Sequence, residues 1–319
     1  MTDLHAEASA NTPLSPANET VNARVSIVVL TFNRRDEVLH TLGKLVALSE
    51  RPPIVVVDNA SSDGSCEAIK RNFLQIAIIS LPKNFGASAR NHGVAMVRTP
   101  YVAFCDDDAW WEPGSISRAA DILDQHASVA LVCARVLVGR TAHEDPTSTC
   151  MANSPLQSSD LPGRTILGFM AGASVMRVAA YRQVGGYCPR LFLGGEEELI
   201  ALDFAARGWR MLYDAAMTVC HIPSAARDAE ARRALLARNA VWIACMRLPL
   251  RELLHRMLAL NTLRNARMRT LWRTLAGLPW ALSERQLIPK EVERMRQEVE
   301  AAAVMPRDPG LPAIHTINT

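Results

Sequence analysis

The sequence predicts an α/β protein with a mostly parallel sheet flanked by helices and a helical extension at its C-terminal end. Short apolar, β-branched runs (VSIVVLTF, IVVV, IAIISL, YVAFC) alternate with segments whose apolar residues recur at helical spacing. This rhythm belongs to a parallel sheet covered on both faces. Each run ends in a polar turn, and ligands of such sheets gather at the carboxyl ends of the strands. An arginine-rich apolar stretch after residue 230 predicts the extension.

Taken in order, Val25 to Phe32 is a strand, and Val38, Leu39, Leu42, Leu45, Val46 and Leu48 mark the buried face of the helix after it. Ile54 to Val57 is a second strand, followed by the turn DNASSDGS and a short helix through Cys66 to Asn72. Ile76 to Leu81 is a third, leading through PKNFG into the helix GASARNHGVAMVR and then YVAFC. Beyond the triplet Asp106 to Asp108, Pro113 to Gln125 reads as helix and Val129 to Val138 as strand. Gly139 to Gly163 reads as an aperiodic Ser/Pro/Thr-rich loop, a lid or substrate wall. A strand and short helix follow in GFMAGASVMRVAAYRQVGGY, then a turn, a helix and two short strands up to His221. The boundaries expected are a flexible tail 1–23, a catalytic unit 24–229, a basic helical extension 230–305 and a second tail 306–319.

Composition narrows the class. The 319 residues are 49% hydrophobic and 21% charged, enough for a sizeable core. The polar first two dozen residues carry no apolar segment, and seven scattered cysteines form no CxxC pair, so a reduced, cytoplasmic protein is expected. A net charge of +3 is too small to argue for nucleic acid. Between Arg232 and Arg273, however, ten arginines and one acid, Glu252, are interleaved with leucines, methionines and tryptophans. Such a segment either packs on the catalytic body with its arginines in water or lies on an anionic membrane surface. No run of the ~20 apolar residues needed to span a bilayer occurs.

The stretch FCDDDAWWEP ends a buried strand with three carboxylates. Neighbouring carboxylates repel and are costly to desolvate, so the run either sits in water or holds a cation. Asp106 and Asp108, two apart at an irregular strand end, can both address one ion while Asp107 faces elsewhere. Trp110 or Trp111 either stacks on a ligand or packs.

Together, VSIVVLTFNR, VVVDNASSDGS, NFGASARNHG, FCDDDAWWEP, GGEEELIALDFAARGWR and CHIPS resemble the family 2 glycosyltransferases, from about Val25 to about Arg233. The resemblance implies the GT-A fold, a Rossmann-like sheet, and transfer of a sugar from a nucleotide-diphosphate donor to an acceptor hydroxyl with inversion. It implies that Asp106 and Asp108 bind Mn2+ or Mg2+ and the donor, with Asp107 beside them, and that His221 adds a metal ligand and Arg227 a diphosphate contact. Thr31, Asn33 and Asp58 would cradle the base and ribose, although Thr31 and Asn33 are also ordinary helix caps. Asn84, Gly86 and Arg90 would approach the phosphates, Arg90 alternatively pairing with the acidic triplet. In GGEEE, Glu197 aligns with the catalytic base, usually Asp in the family; the extra methylene leaves Glu196 or Glu197 in that role. Acids at this place are also favoured simply by the macrodipole of a helix N-terminus. Acceptors implied are a glycan, a lipid-linked glycan or a small molecule, as in surface-polysaccharide assembly. A nucleotidyltransferase would want a glycine-rich loop where TFNRRD has none, and a non-catalytic nucleotide-sugar binder would not need the acid pair.

Overall fold

A computed structural model describes residues 23–156, 159–223, 229–260 and 267–304. The strands β1 (Val25–Thr31), β2 (Ile54–Asp58), β3 (Ala77–Ser80) and β4 (Tyr101–Asp106) are parallel neighbours in the order β3-β2-β1-β4. Between them run α1 (Arg35–Val46), α2 (Ser65–Asn72) and α3 (Arg90–Met96), the last entered through a 3-10 turn at Gly86–Ala89. Then come β5 (Ala109–Trp111), α4 (Ser115–Gln125), β6 (Val129–Val138), β7 (His143–Glu144), α5 (Pro146–Ala152), β8 (Arg164–Thr165), β9 (Ser174–Arg177), α6 (Val178–Gln183), α7 (Glu196–Ala206) and β10 (Arg210–His221). The sheet continues β4-β9-β6-β10-β5, with β7 on β6 and β8 on β10. Strand β9 is antiparallel to both β4 and β6, and β10 is parallel to β6. Hence β1 to β4, β6 and β10 all point one way, and Thr31, Asp58, Asp106 and His221 end up on the same carboxyl edge.

Alternation along β1 divides the core. Val25, Ile27 and Val29 pack with Val38, Leu42 and Leu45 of α1 and Ile116 and Leu123 of α4. Val28, on the opposite face, packs with Ala89, Val94 of α3 and Ile200 and Phe204 of α7. A third apolar cluster joins α7 to the extension, made of α8 (Ala229–Arg247), α9 (Leu250–Leu260), α10 (Arg267–Ser283) and α11 (Lys290–Val304). The extension is a packed layer at its root: Val241, Ile243, Ala244 and Cys245 of α8 are fully buried.

Three expectations are corrected. The span 139–163 is not an aperiodic loop among its described residues: α5 starts at Pro146, whose missing N–H costs nothing at a first helical position, and the Asp145 carboxylate accepts from Thr147 N at 2.7 Å. The two short strands before His221 are one strand, β10, whose register on β6 shifts between Asp214 and Thr218, a bulge that reads in sequence as a break. Finally, Trp110 and Trp111 lie on β5, antiparallel to β10. Trp111 is buried and its Nε1 donates to Phe104 O, so it packs and is closed to ligand stacking; Trp110 lies edge-on to His40 of α1.

Candidate active site

The site is built along the carboxyl edge. At the end of β1, Thr31 is buried with its Oγ1 lacking a protein partner, and it caps no helix. Asn33 adopts φ +52°, and its Oδ1 accepts from Ser62 N at 2.7 Å while its own N–H donates to Ser61 Oγ. That exchange ties the end of β1 to the turn after β2. In this turn the buried carboxylate of Asp58 accepts from Ser61 N, and burial raises its pKa. Asp63 joins two helix starts, accepting from Arg35 N of α1 and Ser65 N of α2. One strand further on, Asn84 Oδ1 accepts from Gly86 N and from Asn59 Nδ2, so Asn84 shapes the turn that precedes the 3-10 entry to α3. Gly86 (φ +61°) is obligatory there, because a Cβ would meet Phe192 O at 1.9 Å.

The acidic triplet divides differently from the sequence expectation. Asp107 and Asp108 share the Arg34 guanidinium, at 2.8 and 3.0 Å, while Asp106 pairs with Arg90 at 2.5 Å. Asp107 therefore faces the same cation as Asp108. The reason is the short β5, which turns the backbone back after Asp106, and Thr41 Oγ1 of α1 fixes that turn by donating to Asp107 O at 2.9 Å. Burial pushes the Asp107 carboxyl up to about 6 although Arg34 pulls the other way. Arg90 is itself buried; burial opposes its charge, but Asp106, followed by more distant Glu197 and Glu196, raises its pKa. It lies over the Tyr187 ring, 5.4 Å from the centroid. The Asp106 side chain stays 43% exposed and Gly172 comes close to its Oδ2, where a Cβ would stand 2.6 Å away.

His221, at the end of β10, places Nε2 3.2 Å from Asp108 Oδ1. Neighbouring ligands of an octahedral ion at about 2.1 Å lie about 3 Å apart, so this carboxylate and imidazole are spaced as a pair of metal ligands would be. Among the described residues no group of three or more His, Cys, Asp and Glu side chains is gathered tightly enough to hold an ion. Asp106, the other carboxylate expected at the ion, is turned toward Arg90. Arg227 lies outside the described residues.

Glu196 and Glu197 open α7, after Gly195 in the left-handed conformation. Glu196 is 3% exposed and its Oε2 lacks a protein partner. Glu197 is only partly covered. Burial first, then the neighbouring Glu196 charge, raises the Glu197 pKa, with Arg90 opposing and Asp106 reinforcing. Both acids thus lie in the electrostatic reach of the Arg90–Asp106 pair. Of the two residues, Glu197 is the less buried. Glu198 points away into an ion pair with Arg256 of α9 at 2.7 Å.

Sequence reasoning missed Arg34, Asn59 and Gly172. Arg34 stands right after the first strand, and a cation at that edge opposite three carboxylates is a usable signal. Asn59 sits inside the quoted DNASSDGS turn. Nothing in GFMAGAS flags Gly172, because its contact with Asp106 depends on β9 crossing antiparallel between β4 and β6.

A family model described as glycosyl transferase family 2 matches residues 26–185. The N-acetylglucosaminyl-diphospho-decaprenol L-rhamnosyltransferase of Mycobacterium tuberculosis (strain ATCC 25618 / H37Rv) is 24% identical over 285 residues, 74% of this chain and 91% of that protein. Among solved structures, GalNAc-T7 with UDP, GalNAc and Mn2+ superposes with a TM-score of 0.58 at 12% identity, over 82% of this chain and 56% of the other, about half that neighbour's length. The mannosyltransferase PcManGT from Pyrobaculum calidifontis, in complex with GDP-Man and Mn2+, superposes with a TM-score of 0.53 at 18% identity, over 91% and 78%. These neighbours share the GT-A architecture. On the family match across half its length and this shared fold, the chain belongs to glycosyl transferase family 2.

Proposed function

We propose that this glycosyltransferase inverts the anomeric carbon of a nucleotide-diphosphate sugar, with Glu197 as base and an acceptor built on a lipid-linked or polysaccharide glycan. The observation that supports the reading is the surroundings of Glu197: at the start of α7 its carboxyl has a pKa raised by burial and by the Glu196 charge, with Arg90 and Asp106 of the carboxyl edge within electrostatic reach. Thr31, Asn33 and Asp58 would receive the nucleoside, and Asn84, Gly86 and Arg90 would approach the phosphates. Asp106, Asp108 and His221 would hold Mn2+ or Mg2+, as the 3.2 Å spacing of the last two allows. A bound divalent ion supplies charge neutralisation for the diphosphate as it departs. Glu197 takes the acceptor proton as the acceptor oxygen bonds to the anomeric carbon and the bond to the diphosphate oxygen breaks, releasing nucleoside diphosphate. Arg90 keeps Asp106 oriented toward the same place. The relative's acceptor, a decaprenol-linked sugar by its name, supports a lipid-linked acceptor here.

A lipid acceptor also gives a use for the outer helices. Among the described residues no helix is long and apolar enough to cross a membrane. Yet α9 exposes Leu250, Leu254 and Leu258, and α10 exposes Met268, Trp272, Leu275 and Leu282. Arg269 and Arg273 are exposed on α10, which contains no acid. A second copy meeting this face about a two-fold axis would oppose arginine to arginine, whereas an anionic lipid surface complements it.

The deciding experiment is calorimetric binding of UDP, dTDP and GDP with Mn2+, Mg2+ or chelator, on wild type, Asp106→Asn and Glu197→Gln. One nucleotide bound only with metal, lost in Asp106→Asn and kept in Glu197→Gln, is the expected result, together with loss of sugar transfer in Glu197→Gln by about 100-fold or more. Full transfer by Glu197→Gln removes the base assignment. Metal-independent binding removes the ion, and a retained anomeric configuration by NMR removes inversion.

A further inference from the structure

The carbonyls just before α7 point to a residue of the extension. Leu191, Leu193 and Gly194 turn their carbonyl oxygens onto one side-chain amide, Nδ2 of Asn239 on α8, at 2.9, 3.1 and 2.6 Å. Asn239 is fully buried. Arg238 adds a bond to Leu191 O at 2.9 Å, its guanidinium lying 4.3 Å over Trp242. The loop so held has no regular structure of its own: Phe192, Gly194 and Gly195 all have positive φ, at 66°, 91° and 84°. Both glycines are also required by closeness to α8, since a Cβ on Gly194 would stand 2.7 Å from Leu236 Cδ2 and one on Gly195 2.8 Å from Ile243 Cδ1. Gly195 is the residue from which α7 starts, and it has no side chain to cap that helix. The fit of this loop on α8 bears on the first turn of α7, where Glu196 and Glu197 lie, while Ile200 and Phe204 anchor the rest of the helix in the core.

We infer that Asn239 is a positioning residue for the base: by holding three converging carbonyls from outside the motif-bearing part of the chain, it fixes the loop that aims Glu197 at the acceptor. Converging carbonyl dipoles repel, and buried carbonyls without a donor are costly, so the loop in this shape depends on the Asn239 amide. An aspartate there would set a charge against the same oxygens. Phe192 O, next in the loop, accepts from Ala87 N at 2.7 Å, so the arrangement also ties the base loop to the turn at Gly86. The inference rests on the reading of Glu197 as base.

Full-length Asn239→Ala, Asn239→Ser and Asn239→Asp would be compared with wild type and Glu197→Gln for release of nucleoside diphosphate from UDP-, dTDP- and GDP-sugars. Nucleotide affinity would be measured in parallel by calorimetry and amide exchange over 191–199 by mass spectrometry. Asn239→Ala is expected to lower kcat about 10- to 100-fold, as a displaced catalytic group does, with nucleotide affinity within about twofold of wild type. Exchange over 191–199 rises, Asn239→Ser, which keeps one donor, recovers part of kcat, and Asn239→Asp is the slowest. Unchanged kcat, unchanged exchange, or kcat and nucleotide affinity falling together overturns the inference; should the alanine variant not fold, the serine and aspartate variants decide by the same criteria. Full activity of Glu197→Gln with raised exchange in Asn239→Ala would remove the base assignment while leaving the loop contact standing.

Discussion

At the scale of single residues, the acid pair that opens α7 behaves as two unlike groups. Glu196 is buried with an unpartnered oxygen, Glu197 is the less covered residue, and burial together with the Glu196 charge raises the cost of ionising Glu197. A base must be deprotonated to act, so a raised pKa moves the low-pH limb of the rate profile upward, away from the ordinary range near 4.5. Glu196→Gln removes the negative neighbour, lowers the Glu197 pKa, and is expected to shift that limb to lower pH, read from kcat against pH for donor turnover. A limb that stays put or moves up would show that burial alone sets it. Residue types at strand ends were legible in the sequence: Asp58, Asp106, Asp108 and His221 lie along one carboxyl edge. Of their partners, Arg90 was legible as a group that could pair with the triplet, as it does with Asp106, whereas Arg34 was missed: it bridges Asp107 and Asp108 from 73 and 74 residues away, and its place right after β1 is the one signal for that pairing.

Among elements, the helices and strands with strong periodicity were read correctly, and the short ones were missed for physical reasons. β5 is three residues long and contains two tryptophans and an alanine, too short for alternation to show. β10 carries a bulge that splits its apolar pattern, and α5 hides in a Ser/Pro/Thr-rich stretch because such residues serve as well in a first helical turn as in a loop. The extension was legible as basic amphipathic helix; its grip on the base loop was not, since a lone Asn in ARNAVW has no sequence signature. The packing of α10 on α8 also turns on one residue. Gly277 admits the Trp242 indole so closely that a Cβ would lie 2.2 Å from Cζ2, while Trp242 Nε1 donates to Thr274 O. Gly277→Ala would favour the isolated helix, yet overpacking should win and destabilise the protein by about 1–3 kcal/mol, measured by urea unfolding. A neutral or stabilising effect would mean that α10 moves away from α8 freely.

For the molecule as a whole, the two exposed rows on α9 and α10 make a prediction about where it works. Full-length protein should float with vesicles containing anionic phospholipid, less so as salt rises because the arginine contribution is screened, and little with neutral vesicles. Trp272→Ser combined with Leu258→Ser should reduce the bound fraction several-fold, by removal of apolar area, with the sheet and the donor site untouched. Equal flotation of the double variant would place the contact elsewhere, and a salt-independent dimer in its stead would assign the face to a second copy. The fit of Asn239 against the carbonyls before α7 has a practical meaning for anyone shortening this chain. A fragment ending where the recognisable motifs stop, near residue 229, would keep the sheet edge that receives the nucleotide and lose the side chain that holds the base loop. With Asn239 in the positioning role inferred above, the smallest unit able to turn over substrate would extend through α8, and the inheritance of the activity and that of its motifs would cover different lengths of sequence.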